Sequence, residues 1–558
     1  MRAIRFRFFL TPILLAAAVA WVAPAPGLRA AETGSRQQLQ NPAELRNEIQ
    51  VPPAALSAVP DFFPSFLDYQ DLIMFHPQFG YYGSGRVSFS ADYQTFPIVL
   101  SPYFGQMIAE QIFRMWEGMR QAGTLGPKDT FTIAEFGAGD GALAEQILNY
   151  LGEKSKADPR WREFAAQTVY ACYDRSPALS QSQRKRNERF GKRFEAREAD
   201  ATDPAATIRP GSLKGVVLSN ELPDAFSVHK VILSAGGAAE VAFVVPSIAA
   251  KAWSKLSQSV PAAVAEQVKA ANEAIQNKFF PSRPADTIYL SRASFIALLE
   301  SQASSKTYAA AVQPLEFHEV YVPASAVPEL AAHLHRYAHL YAHELAKANR
   351  GSVTYINLGE EKFIQGMGRI LGAGYVMTID YGDNWEGILT EDRAHLRTYG
   401  PAHQEENSHA EGLEFATLDQ DTGQTEDRDT SDPYRGPTLN DITTDVNFSL
   451  MAAEGQSAGL TTVYFGAQKA LSSGTTVSVD VIPLERRNDE ALRKEYQSWL
   501  KDFKSSDTFK LMVQQKANTD GTYAYPDKEA ESLALNENDL APGQRKAASE
   551  IEKALSGQ

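Results

Sequence analysis

FTIAEFGAGDGAL, Phe131 to Leu143, is the stretch on which the reading of this chain turns. A short apolar run closes on Glu135, glycines follow at 137, 139 and 141, and Leu143, Ile147 and Leu151 then recur four apart. The change of period predicts strand, tight loop and helix in that order. Gly137, Gly139 and Gly141 let a flat cofactor lie against backbone, because no Cβ blocks its approach. Gly137, Gly139 and Ala142 also fit the spacing of a dinucleotide loop. Charge separates the two readings. A pyrophosphate is drawn to a helix N-terminus, but Glu135 closes the strand here and Asp140 sits inside the loop. Two carboxylates repel phosphate. They suit S-adenosylmethionine (SAM), which carries a sulfonium and an ammonium and no phosphate.

A second strand is expected over Thr168 to Tyr173, ending in Asp174. An acid there can hold both ribose hydroxyls by charge-assisted hydrogen bonds. It lies farther from the glycine loop than the usual ~20 residues, which the polar stretch Gly152 to Arg162 accounts for as an insertion. Asp200 follows a third expected strand and is placed to meet an adenine amino group. A fourth strand, Gly215 to Leu218, runs into Ser219-Asn220-Glu221-Leu222-Pro223-Asp224, and a fifth, Tyr375 to Asp380, into Tyr381-Gly382. Polar clusters at strand C-termini belong at the ligand edge of a parallel sheet. The expected fold is α/β, a Rossmann-like sheet with acids at several strand ends.

At these residues the chain resembles the MidA-like family of SAM-dependent methyltransferases. The pieces stand in order: GYYGSGRVSFSADYQTFP (Gly80 to Pro97), SPYFGQMIAEQI (Ser101 to Ile112), EFGAGDGAL, YDRSPALSQSQ (Tyr173 to Gln183), SNELPDAFSV (Ser219 to Val228), TIDYG (Thr378 to Gly382), and LNDITTDVNFSLM with AGLTTVYFGAQ between Leu439 and Gln468. The resemblance covers about Phe62 to Leu471 and implies a class I SAM methyltransferase sheet. It implies SAM held by Glu135, Gly137, Gly139, Gly141 and Asp174, to which the strand ends add Asp200 and Asn220, and substrate contacts from Asp92, Tyr93 and Thr95. It also implies arginine as the acceptor, for which Glu221 and Asp224 are read here as the catalytic carboxylates. The sequence departs from the family at Ala91-Asp92-Tyr93 and Pro97-Ile98, and by Asp174 where a glutamate is usual.

The residues support that chemistry on their own terms. Methyl transfer is an in-line displacement that needs alignment and, for some acceptors, a base. The sulfonium is its own leaving group, so no metal is required. A guanidinium is a planar cation with five donors and needs carboxylates beside it. Glu221 and Asp224 are three apart, so one helical turn would put both on one face. Asn220 can bridge to the methionine end of SAM. The bland alternative is that Asn220 and Asp224 cap a following helix. His335, His339 and His343 recur at four-residue spacing, which suits either zinc or a histidine-rich helix face; the second is expected. There is no Gly-x-Ser-x-Gly elbow, and Cys172, the lone cysteine, falls within an apolar strand as inert core.

The chain has 558 residues, 44% hydrophobic and 22% charged, with net charge −14. This permits a large core and argues against non-specific nucleic-acid binding; the basic run Gln181 to Phe194 is expected on a solvated helix face. Residues 1–30 read as a secretory signal or membrane anchor: three arginines, an apolar run, then small residues near Leu28-Arg29-Ala30. That placement is exported (periplasmic) or membrane-associated, with mitochondrial targeting the alternative. Residues 31–60 read as a linker, 61–480 as the methyltransferase domain and 481–558 as a charged extension. Within the domain, 241–350 reads as a mainly helical cap or substrate insertion and 404–431 as a mobile acidic loop. Asp489 to Met512 is expected to be helical. The competing functions are a small-molecule N- or O-methyltransferase and a non-catalytic SAM-fold assembly protein.

Overall fold

Strand and amphipathic helix alternate from Phe131 onward in a computed structural model that describes residues 48–516 except 88–94, 235–237, 284–285, 306–307, 342–351, 391–394, 474 and most of 400–431, with isolated positions beyond 516. Helix α1 (Phe66–Phe75) and helix α2 (Tyr103–Gln121) precede the sheet. Then come β1 (Phe131–Phe136), α3 (Ala142–Ala157), β2 (Thr168–Asp174), α4 (Pro177–Asn187), β3 (Phe194–Glu198) and β4 (Leu213–Asn220). The insertion carries β5 (His229–Leu233), β6 (Ala239–Ala249), β7 (Thr287–Tyr289), β8 (Leu315–Pro323) and β9 (Ser352–Ile356). Helix α5 (Leu358–Ile370) returns the chain to β10 (Leu371–Asp383). Short strands β11 (Leu396–Tyr399), β12 (Thr417–Leu418), β13 (Thr425–Glu426), β14 (Asp441–Thr444) and β15 (Val446–Asn447) follow, then β16 (Leu460–Ala467), α6 (Glu490–Ser505) and β17 (Phe509–Lys516).

The central sheet runs β16-β17-β10-β4-β1-β2-β3. Strands β10, β4, β1, β2 and β3 run parallel to one another, and β17 is antiparallel to both of its neighbours, β10 and β16. Parallel strands are covered on both faces, which is why they read as apolar runs rather than alternating ones. On one face Ile133, Leu218 and Met377 pack with Phe104, Ile108 and Met115 of α2. On the other, Ala134, Val217 and Val376 pack with Phe363, Ile364 and Met367 of α5. Strand order reverses between β1 and β4, so their C-terminal edge is the crevice where such sheets hold ligands.

Four expectations change. The insertion is rich in helix, but its organising element is an antiparallel sheet, β7-β6-β5-β9 with β8 on β6. The part of the expected linker from Glu48 onward packs: Ile49 and Val59 join the insertion's core, and the Ile49 N–H bonds the Glu319 carbonyl. The expected C-terminal extension supplies β17. Helix α6 stops at Ser505, and Met512 lies in strand, because Leu511, Met512 and Val513 are buried between β10 and β16. The histidine helix ends at Arg336, so His335 and His339 share no continuous face, and His343 lies outside the described residues. The N-terminal segment 1–30 and most of the acidic loop also lie outside them. Among the described residues no helix is long and apolar enough to cross a membrane.

Candidate active site

The glycine loop joins β1 to α3 at the sheet's C-terminal edge. Gly137, Gly139 and Gly141 all have positive φ, at 69°, 52° and 83°, a region that side chains with a Cβ occupy at a cost. A Cβ on Gly137 would stand 2.7 Å from Leu222 Cδ1. Glu135 is buried beneath the loop and accepts hydrogen bonds from the Tyr170 hydroxyl at 2.7 Å and the Cys172 thiol at 3.8 Å. Burial lifts its carboxyl to about 7. Asp140, whose charge weighed against phosphate in the sequence reading, is ion-paired to Arg186, so that argument now rests on Glu135 and Asp174.

Asp174 ends β2. It accepts from the Ser176 N–H at 2.9 Å and from Gln183 Nε2 at 3.4 Å, and burial raises it to about 7. Asp200 is turned to its own segment: Oδ1 accepts from the Thr202 N–H and hydroxyl, and Oδ2 lies 3.6 Å from Arg175. The loop's glycines, Asp174 and Asn220 therefore converge on one crevice, with Asp200 at its rim. Asn220 ends β4 and donates to Glu221 at 3.0 Å; its Oδ1 has no partner among the described residues. Acceptor-only carboxylates and an open amide oxygen fit a ligand with vicinal hydroxyls and an ammonium, as SAM has.

Beyond Asn220 the backbone is forced. Glu221 has φ 51°, an unusual conformation for a residue with a side chain, and its N–H bonds the Ile379 carbonyl at 2.8 Å. A 3-10 turn, Pro223–Ala225, follows, and the next regular element is β5, so Asp224 caps no helix. The two acids meet because Glu221 kinks into the site before the turn, not because they share a helix face. The Asp224 N–H bonds Asp380 Oδ2 at 3.3 Å, while Asp224 Oδ1 is buried with no hydrogen-bond partner among the described residues. Asp441 acts through space on both Glu221 and Asp224. Burial raises Glu221 to about 7 and lifts Asp224 and Asp380 well above the carboxylate range.

Other elements hold this edge. Asn357 caps α5, accepting from the Glu360 N–H, and donates to the Pro223 carbonyl at 2.9 Å. Gln70 of α1 accepts from the Val228 N–H and donates to the Ile442 carbonyl, tying β14 to the end of the Glu221 segment. Strand β11 pairs with β14, Tyr399 opposite Asp441, and β15 joins the end of β10 at Gly382. Arg397 on β11 lies 4.4 Å above the Tyr381 ring and is ion-paired to Asp445. Asp92 and Tyr93 lie outside the described residues. Thr95 sits at the start of the short helix Phe96–Val99, where its carbonyl accepts from the Ile98 and Val99 N–H groups. Asp380 and Asp441 were not singled out from sequence. Asp380 carried a usable signal, an acid at a strand end; Asp441 begins its strand and carried none.

Residues 107–466, well over half of the chain, match the family described as "Putative S-adenosyl-L-methionine-dependent methyltransferase". No curated protein matches the sequence. Two crystal structures from Burkholderia thailandensis are similar in fold. One is bound to S-adenosyl-homocysteine and has TM-score 0.53 at 19% identity; the other has TM-score 0.52 at 18% identity. Each match covers 88% of this chain and 100% of the other.

Proposed function

The chain belongs to the SAM-dependent methyltransferase family that it matches, and from that premise we propose that it methylates a cationic nitrogen acceptor, the guanidinium of a protein arginine. The supporting observation is the excess of acid at the ends of β4 and β10. Glu221, Asp224, Asp380 and Asp441 interact there, and the neighbouring cation Arg397, ion-paired to Asp445, offsets the charge of Asp224 only in part. Buried carboxylates repel one another and are costly to ionise. A planar cation with several donors relieves both penalties when it enters.

When bound, SAM supplies an electrophilic methyl group on a positively charged sulfur. The residues of this chain do the rest. Glu221, fixed by Asn220 and by its own backbone bond to Ile379, orients the guanidinium. Asp224, with an open oxygen, accepts a second N–H and takes the proton released as the nitrogen is alkylated. Asp380 stays beneath the loop and holds Asp224 in place through its backbone N–H.

The test is methyl incorporation from labelled SAM into peptide mixtures, with mass spectrometry locating the product. Methylated arginine is expected. Glu221→Gln should cut turnover by roughly 10- to 100-fold, the range for losing a hydrogen bond to a charged group, with SAM affinity within about threefold. Incorporation only into small amines or hydroxyl compounds would reject the arginine reading, and full turnover in Glu221→Gln would reject that residue's role.

A further inference from the structure

Gln183, Arg186 and Asn187 lie on one face of α4, at spacing i, i+3 and i+4. That face is turned to the glycine loop and not to solvent alone, as the basic character of the run had suggested. Gln183 Nε2 donates to the Gly139 carbonyl at 2.9 Å. Arg186 Nε donates to the Asp140 carbonyl at 3.2 Å. Asn187 Nδ2 donates to the Gly141 carbonyl at 3.0 Å. Three successive carbonyls of the loop are thus held by one helix. Gln183 and Asn187 are fully buried. The contact is close as well as polar, since a Cβ on Gly141 would stand 2.7 Å from Asn187 Nδ2 and 3.1 Å from Gln183 Cα.

Such a loop needs holding. Three glycines at positive φ have more freedom to lose than any other residues, and each ordered backbone position costs about 1–2 kcal/mol. Gln183 has a second function that its neighbours lack. The same amide nitrogen donates to Asp174 Oδ2 at 3.4 Å. Both of its partners are acceptors, so the amide has one usable orientation; reversal would set Oε1 against two oxygens.

Resting on the SAM assignment above, we propose that Gln183 is a cofactor-positioning residue that locks the glycine loop and the Asp174 carboxylate into one geometry, with Arg186 and Asn187 completing the hold on the loop. Cofactor affinity then depends on a helix that touches the loop from behind. Among the described residues, the charged and titratable groups facing Asp174 are Arg175 on its own segment and Glu135 and Cys172 from below. Gln183 adds a donor that favours the ionised carboxylate.

The experiment is calorimetric titration of SAM into the full-length protein and its Gln183→Met and Asn187→Leu variants between pH 5.5 and 8.5, with steady-state kinetics beside it. Gln183→Met should weaken SAM about tenfold and raise KM for SAM more than it lowers kcat. The pH below which SAM affinity falls should move upward in Gln183→Met, which loses the bond to Asp174. It should not move in Asn187→Leu, which touches only the loop. A role in stability alone would lower the melting temperature and leave the midpoint where it was. Wild-type affinity, or an unmoved midpoint in a folded Gln183→Met, overturns the proposal. If Gln183→Met does not fold, the half-exposed Arg186→Ala carries the test, with an expected three- to fivefold loss; wild-type affinity there overturns it. Failure of the unaltered protein to bind SAM would instead overturn the cofactor assignment itself.

Discussion

Replacing Glu135 by glutamine removes a charge while keeping an acceptor for the Tyr170 hydroxyl. Glu135 is 3% exposed. Burial, with Asp140 and Asp174 adding to it, moves its carboxyl from 4.5 to about 7. Between those two values the folded protein keeps the proton and the unfolded chain releases it. The group's contribution to stability is therefore complete below pH 4.5, falls as the pH rises to 7, and is flat above. The change corresponds to about 3 kcal/mol. Glutamine does not titrate, so Glu135→Gln should gain about 3 kcal/mol on the unaltered protein between pH 4.5 and pH 8. Urea unfolding of the ligand-free proteins at the two pH values measures it. SAM affinity at pH 8 should fall in the same variant, because the loop loses its underlying negative charge. A stability difference between the two proteins that is the same at both pH values would refute the reasoning, since it would mean that Glu135 ionises without penalty.

Gly141→Ala forces a side chain into φ 83° and puts its Cβ 2.7 Å from Asn187. The strain alone is about 1–2 kcal/mol, and calorimetry should show SAM binding weakened at least tenfold; an affinity within twofold would contradict the picture of a loop held from α4. Asn357→Ala removes both a helix cap and the donor to Pro223. It should cost about 1–2 kcal/mol by denaturant unfolding, and kcat should fall with it, an unchanged kcat showing that the Glu221 segment is fixed without it. In the insertion, Lys230 is buried and bonds both oxygens of Glu319, which also accept from Tyr321 and Tyr434. Lys230→Met leaves that carboxylate without its cation and should cost about 3–5 kcal/mol; a much smaller loss of stability would show that Glu319 takes up a proton freely.

Much of the catalytic half was legible locally. The change of period at the glycines, the acid closing β1 and the polar residues after β2, β4 and β10 each announce themselves within a dozen residues. Side-chain period and glycine conformation are properties of short segments, so they survive without knowledge of partners. The insertion's sheet was less legible, because alanine-rich helices separate its strands and one edge of β6 changes partner from β5 to β7 while β8 runs along the other. Strand β17 was missed because Leu511-Met512-Val513 is a brief apolar island in a charged region, with no signal that β10 and β16 would enclose it.

The amino-acid order by itself determined a glycine turn that favours a cationic cofactor over a phosphate, a mostly parallel sheet and a cluster of polar residues at the end of β4. Only the tertiary structure decided what surrounds them. Asp224 bonds Asp380 across 156 positions, Asp441 returns to the same edge through β14 and β15, and Gln183 reaches back 44 residues to the loop. Such meetings are made by chain closure over long separations, and loop-closure entropy varies too slowly with length to leave a mark in the sequence between.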